Sequence, residues 1–237
     1  MKLIVFSDIH GNDLALEAFM KKKDEFEYDK IIFLGDVFGY YYNQNKCIEL
    51  LKEIPDLIWL KGNHDEYAVK SYFCGLGEEV LISSYGHSYE HLRERFDKND
   101  MKFFSELKSS YVIKIDDRTI GFYHGRPADS LEGRIYSDTE LNPDEFAGFD
   151  IVLFGHTHCK IDRKIGKTRI LSPGSLGQPR DGKGYGFLVV DTVTNECLHE
   201  NVHVNNFILK NAIDKKDSEL NKLYDVLSRE TDDKFFK

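Results

Sequence analysis

The sequence predicts an α/β domain, with helices covering sheet and a polar crevice along the C-terminal ends of the strands. Three observations predict it. Short apolar runs alternate with helical patterns along the chain. Several of those runs stop abruptly at Asp, His or Asn instead of at ordinary turn residues. And 237 residues, 41% hydrophobic and 13% aromatic, suffice to bury one substantial core.

Taken in order, Leu3 to Phe6 is the first strand, and Asn12 caps a helix that puts Leu14, Leu16, Ala18 and Phe19 mostly on one face. Ile31 to Leu34 is the second strand. Asn43 caps a helix carrying Cys47, Ile48, Leu50 and Leu51, which ends before Pro55. Leu57 to Leu60 reads as a buried third strand. Residues 66 to 110, rich in Tyr, Ser and charge with weak helical periodicity, read as a few helices over the sheet edge. Tyr111 to Ile115 and Thr119 to Tyr123 flank Asp116-Asp117, a hairpin signal. Asn142-Pro143 starts a short helix. Strands follow at Ile151 to Phe154, Arg169 to Leu171 and Gly186 to Val190, with an alternating edge strand between Glu196 and Val204. The expected domain fills residues 1–210. A charged tail, 211–237, carries one amphipathic helix (Leu220, Leu223, Tyr224, Leu227) and ends in "DDKFFK".

Composition removes several function classes. A net charge of −9 argues against general affinity for nucleic acid or anionic membranes. No apolar run is long enough to span a bilayer, and the run before Ser7 is too short for a signal peptide. Cys47, Cys74, Cys159 and Cys197 lie far apart with no Cys-x-x-Cys spacing, which fits a reduced, cytoplasmic protein.

The strand ends carry the chemistry. Ser7-Asp8-Ile9-His10, Gly35-Asp36, Gly62-Asn63-His64-Asp65, His124-Gly125 and Gly155-His156-Thr157-His158 each follow a strand. In an α/β sheet, loops at that edge converge on one crevice. Carboxylate, imidazole and amide oxygen together suit Mn²⁺, Fe, Zn²⁺ or Ni²⁺ better than Ca²⁺. These candidates outnumber the roughly four ligands of a tetrahedral zinc. Two metals roughly 3.5–4 Å apart, sharing a carboxylate, would use them; such a pair lowers the pKa of a bridging water and clamps phosphoryl oxygens. That is chemistry for in-line attack on phosphate esters.

In order and spacing these blocks resemble those of the calcineurin-like metallophosphoesterases, over residues 1 to about 205. "SPGSLGQPRDG" (172–182) is similar to a motif of the compact bacterial branch. The resemblance implies a four-layer αββα sandwich of two mixed sheets with a dinuclear site at the strand ends. It implies Asp8, His10 and His158 on one metal, Asn63, His124 and His156 on the second, and Asp36 bridging. Two divalent transition metals are expected, Mn first, with Fe, Zn or Ni as alternatives. His64 would protonate or stabilise the leaving oxygen, Asp65 would orient its imidazole, and a metal-bridging hydroxide would be the nucleophile. The expected substrate is a small or nucleotide-type phosphodiester or phosphomonoester. Alternatives are a Ser/Thr phosphoprotein, a dinucleoside polyphosphate, or a catalytically slow binding or regulatory role on the same fold.

Other residues have two readings. Arg126 and Arg180 are candidate phosphate clamps, or partners of acidic side chains. Tyr40, Tyr41 and Tyr42, near the site, would stack on a base or sugar, or form half-buried surface. Cys159 reads as a buried spectator, and His87 and His91 as solvent-facing residues on one helix face. His199 and His203 read as structural.

Overall fold

The computed structural model describes residues 1–75, 77–115 and 117–228. Asp116 of the expected hairpin turn and the "DDKFFK" end lie outside the described residues. The chain opens with β1 (Lys2–Phe6), α1 (Asp13–Lys22), β2 (Lys30–Phe33), α2 (Gln44–Lys52) and β3 (Ile58–Trp59). A helical stretch follows: α3 (Asn63–Cys74), α4 (Glu78–Tyr85), a 3-10 turn (His87–Tyr89), α5 (Leu92–Arg95) and α6 (Lys98–Glu106). Then come β4 (Ser110–Ile115), β5 (Arg118–Tyr123), a 3-10 turn (Pro143–Phe146), β6 (Ile151–Phe154), β7 (Lys160–Ile165) and β8 (Thr168–Pro173). β9 (Tyr185–Asp191), β10 (Cys197–Val202), α7 (Asn206–Lys216) and α8 (Asn221–Ser228) complete the described chain.

These strands make two mixed five-stranded sheets, ordered β10-β9-β1-β2-β3 and β4-β5-β6-β8-β7. Strand alternation explains why the sheets stack. On β1, Leu3 and Val5 join a core shared with Phe122, Leu153 and Leu171 of the second sheet. Ile4 and Phe6, on the opposite face, pack among the helices with Phe19 and Phe33. A strand apolar on both faces must be covered on both. β6 behaves likewise, with Ile151 and Leu153 facing the first sheet and Val152 and Phe154 facing outward onto Ile135 and Phe146. The sandwich is therefore as expected, its fourth layer being the segment between β5 and β6 with its 3-10 turn. No helix among the described residues is long and apolar enough to cross a membrane.

Local detail departs from expectation in places. β3 is a two-residue, half-buried edge strand, shorter than the expected buried run, because it pairs only with β2. β7 was not expected: "KIDRKI" buries only Ile161 fully, so as an edge strand it lacks an apolar signature. Asn12 caps α1 through its side chain, whereas Asn43 stands at the start of α2 but gives its amide to Asp13. His87 and His91 do not share a helix face: His87 opens the 3-10 turn and His91 precedes α5 with φ 56°. α7 runs through residues 210 and 211, and Ile213, Leu223 and Leu227 are buried in the same core as α1 and α2.

Candidate metal centre

The strand-end residues converge. Asp8 and His10 follow β1, Asp36 follows β2, His124 follows β5, and His156 and His158 follow β6. Asn63, His64 and Asp65 were expected in a loop; they form the first turn of α3 instead. Ligand atoms of Asp8, His10 and His158 lie within 4.8 Å of one another, as do those of Asp36, His124 and His156, and of His10, Asp36 and His64. All of these side chains are buried.

Unusual backbone aims them. Asp8, His10, Asp36, His156 and His158 have φ of 57°, 51°, 69°, 66° and 59°. Left-handed backbone at non-glycine residues costs roughly 1–3 kcal/mol each and gathers at functional sites. Surrounding contacts hold it in place. Gly177 N–H and Ser175 Oγ donate to the Asp8 carbonyl at 2.9 and 2.7 Å. The Asp65 carboxylate accepts from the N–H groups of Gly62, Asp36 and Val37 at 2.8, 2.9 and 2.9 Å. Side chains are excluded where backbones meet: a Cβ on Gly62 would collide with Asp36 Oδ1, and one on Gly177 with the Ile9 carbonyl.

Hydrogen bonds fix which ring nitrogens face inward. His10 Nδ1 donates to the Phe38 carbonyl, His158 Nδ1 to that of Gln178 and His124 Nδ1 to that of Leu34, at 2.6, 2.6 and 2.9 Å. In neutral His10 and His158 the backbone-anchored Nδ1–H leaves Nε2 as the bare ligand atom, as around bound metals, whereas His124 Nε2 also lies 3.0 Å from Asn63 Oδ1. The Nε2 atoms of His10 and His158 then face each other at 3.1 Å. Asp36 Oδ2 has no hydrogen-bond partner. It lies 3.3 Å from His124 Nε2 and 3.7 Å from His10 Nε2. Lone pairs and an orphaned carboxylate oxygen aimed at one another fit cations between them. The donor set therefore suits a divalent metal centre.

Burial leaves most of the rings neutral, and His124 is the exception, paired as a cation with Asp36 when no metal is bound. Burial lowers His10 to about 4 and His156 to about 3, and it takes His64 and His158 well below the ordinary range, so these rings are neutral. Burial raises Asp8 to about 7. It would lower His124, but the Asp36 carboxylate beside it lifts that ring to about 9. The raised pair stabilises the metal-free fold at low pH, and that contribution is lost as pH climbs through about 7 and about 9. The depressed histidines stabilise it above their ordinary 6.5, and that is lost as pH falls towards about 4 and about 3. Metal-stripped protein should thus melt highest near pH 6.5 and lose Tm on both sides, with Mn²⁺ abolishing the alkaline loss. Scanning calorimetry from about pH 4 to about pH 9 tests this; a Tm flat above pH 7 in the stripped protein would refute it.

Several candidates sit differently from the sequence reading. Asp65 does not orient the His64 ring, since its carboxylate ties the Asp36 loop to α3. The ring partner is Tyr89, whose hydroxyl lies 2.7 Å from His64 Nδ1. Nothing near Asn63-His64 in the sequence signals Tyr89, because the 3-10 turn reaches the ring only through packing. Arg126 is not aimed at the centre as a clamp: its guanidinium is taken by Glu145, through Nε at 2.8 Å and through Nη2. Arg134, unremarked in the sequence, donates from Nε to His156 Nε2 at 2.9 Å. Arg180 is at the centre's edge, donating to Tyr40 Oη at 3.0 Å and Gln178 Oε1 at 2.9 Å. Of the three tyrosines, Tyr40 alone meets the site, edge-on to His10 at 4.7 Å; Tyr41 is buried and Tyr42 turns to Asp217. Cys159 is half-buried, with Sγ donating to the Thr157 carbonyl. His199 accepts its structural reading by bonding to the Ser172 carbonyl.

Comparison with known proteins gives consistent matches. A model described as the calcineurin-like phosphoesterase superfamily domain matches residues 1–195. An uncharacterised protein of Methanocaldococcus jannaschii is 31% identical over 198 residues, which is 76% of this chain and 78% of that protein. A crystal structure of a hypothetical protein from Pyrococcus horikoshii has TM-score 0.78 at 20% identity, covering 95% of this chain and 97% of its own. A metallophosphoesterase from Sphaerobacter thermophilus has TM-score 0.74 at 22% identity, covering 98% and 100%. At those identities the two structures share the fold.

Proposed function

The chain belongs to the calcineurin-like phosphoesterase superfamily, and on that premise we propose that it hydrolyses a phosphodiester or phosphomonoester bond of a small, nucleotide-type substrate. One observation carries the reading: Asp36 Oδ2, buried with no hydrogen bond, lies among imidazole nitrogens, 3.3 Å from His124 Nε2 and 3.7 Å from His10 Nε2. Asp8, His10 and His158 would hold one divalent ion, Asn63, His124 and His156 a second, and Asp36 both, with Mn²⁺ the first choice of metal. Bound there, the ions would supply an acidified water and positive charge for the phosphoryl oxygens.

The chain's own residues do the rest. Asp36 Oδ1 accepts the His64 backbone N–H at 2.8 Å, so one carboxylate ties the centre to the catalytic turn of α3. The Tyr89 hydroxyl, 2.7 Å from His64 Nδ1 and 3.3 Å from the His64 carbonyl, holds the ring in place, and the tautomer with the proton on Nε2 lets a neutral His64 give it to the leaving oxygen. Arg180, steadied by Tyr40 and Gln178, offers a cation for the phosphate. The rings of Tyr85, Tyr40 and Tyr67 lie 4.5, 5.0 and 5.4 Å from that of His64, an aromatic wall suited to a base or sugar. The intact donor set speaks against an idle scaffold, because a protein without chemistry gains nothing from an orphaned buried carboxylate oxygen.

The test is hydrolysis of an aryl phosphodiester beside its monoester in Mn²⁺, with Asp36→Asn as the blank. Turnover of either that vanishes in the variant supports the reading, and the faster of the two assigns the ester class. Two bound metals with no turnover of either would overturn it.

A further inference from the structure

α8 forms the far wall of a cavity beside the metal centre. The cavity, of about 320 Å³, is lined by Tyr40, Gln178, Arg180, Lys222, Asp225 and Val226. Tyr40 and Arg180 belong to both spaces: the Tyr40 ring lies 5.0 Å from that of His64 and 5.7 Å from the Arg180 guanidinium carbon. Lys222 reaches over from α8, its Nζ 5.2 Å from the centroid of Tyr85, and that ring in turn lies 4.5 Å from His64.

The wall is firmly placed. Leu223 and Leu227 of α8 are buried in the main core. Asp217, between α7 and α8, accepts from the Tyr42 hydroxyl at 2.7 Å, lies 2.6 Å from His87 Nδ1 and also accepts from the His87 N–H. These bonds lash the C-terminal helices to the loop that carries Tyr40 and to the turn that carries Tyr89. Electrostatically the cavity stands out in a chain of net charge −9, since two cations and one carboxylate line it. Lys222 makes no ion pair within 4.0 Å among the described residues. Burial and the Arg180 charge both disfavour its protonated form, so an anion placed between the two cations would relieve that strain.

Resting on the phosphoesterase reading, we infer that this cavity is a subsite for a second phosphate group of the substrate, bound between Arg180 and Lys222 while the scissile phosphate occupies the metal centre. The preferred substrates are then small molecules with a phosphate beyond the one attacked, such as nucleoside diphosphate or polyphosphate derivatives, with simple esters turned over measurably but more slowly.

AMP and ADP, as competitive inhibitors of aryl phosphodiester hydrolysis at fixed free Mn²⁺, read the subsite directly. Wild-type protein should bind ADP at least about tenfold tighter than AMP, the effect of one added charge-assisted contact. Lys222→Met, which keeps the apolar stem, should bring the two close to parity, and Lys222→Arg should restore the preference. The ratio within each variant is insensitive to any change in overall turnover. No ADP preference in wild type, or the same preference in Lys222→Met, would overturn the subsite. If the aryl ester is not turned over at all, the phosphoesterase reading fails by itself. Calorimetric titration of ADP into metal-loaded wild type and Lys222→Met then decides the subsite: a tenfold loss supports it, and equal affinity refutes it.

Discussion

Asp36→Asn is expected to lower turnover by about a thousandfold or more, ~4 kcal/mol of transition-state stabilisation, and to leave the protein short of metal. The reason lies in the two oxygens of one side chain. Oδ1 accepts the His64 N–H, and Oδ2 faces His124 and His10 with no hydrogen bond. Asparagine keeps its carbonyl oxygen at the first position and must then put its NH₂ at the second. There the amide hydrogens would meet the Nε2 lone pairs 3.3 and 3.7 Å away, satisfying them without any cation. The variant should therefore fold and melt at or above the temperature of the metal-stripped wild type. Metal analysis after dialysis, beside turnover, checks both halves. A variant that retains two ions per chain and works within tenfold of wild type would remove Asp36 from the bridging role.

Chemistry was more legible in the sequence than geometry. Residues that leave a strand must enter the crevice at its end, so Asp8, Asp36, His124 and His156 could be grouped from strand runs alone. What put them within ligation distance could not be read that way. Left-handed backbone at Asp8 and His158 has no glycine to announce it, and depends instead on the 172–182 loop reaching back to bond the Asp8 carbonyl. β7 escaped for another reason: an edge strand buries too little to show an apolar run. Arg126 and Arg180 are indistinguishable as sequence, and what turns Arg126 from the centre is Glu145, nineteen residues away. In the charged C-terminal stretch the hydrophobic spacing gives a helix at Leu223 and Leu227, but nothing local says that the exposed face of that helix brings Lys222 to the same cavity as Arg180.

His64→Ala separates proton delivery from metal binding. Two facts make the separation clean. Asp36 is held by the His64 backbone N–H, which alanine retains, and the imidazole Nδ1 is engaged by Tyr89, outside the ligand set proposed here. Metal content should accordingly stay at the wild-type level. The rate should fall by roughly 10²–10⁴ for an alkyl leaving group, which must be protonated as it departs, and by less than about tenfold for p-nitrophenolate, which need not be. A plot of log kcat against leaving-group pKa should therefore be markedly steeper in the variant. The buried position of the ring sharpens this expectation. Burial keeps His64 neutral, so its Nε2 proton is a weak acid in the resting protein and becomes useful only when charge builds on the oxygen it faces. A poor leaving group builds the most charge and has the most to lose. Equal losses across the series, with metal intact, would mean that the ring positions substrate against the tyrosine wall and delivers no proton.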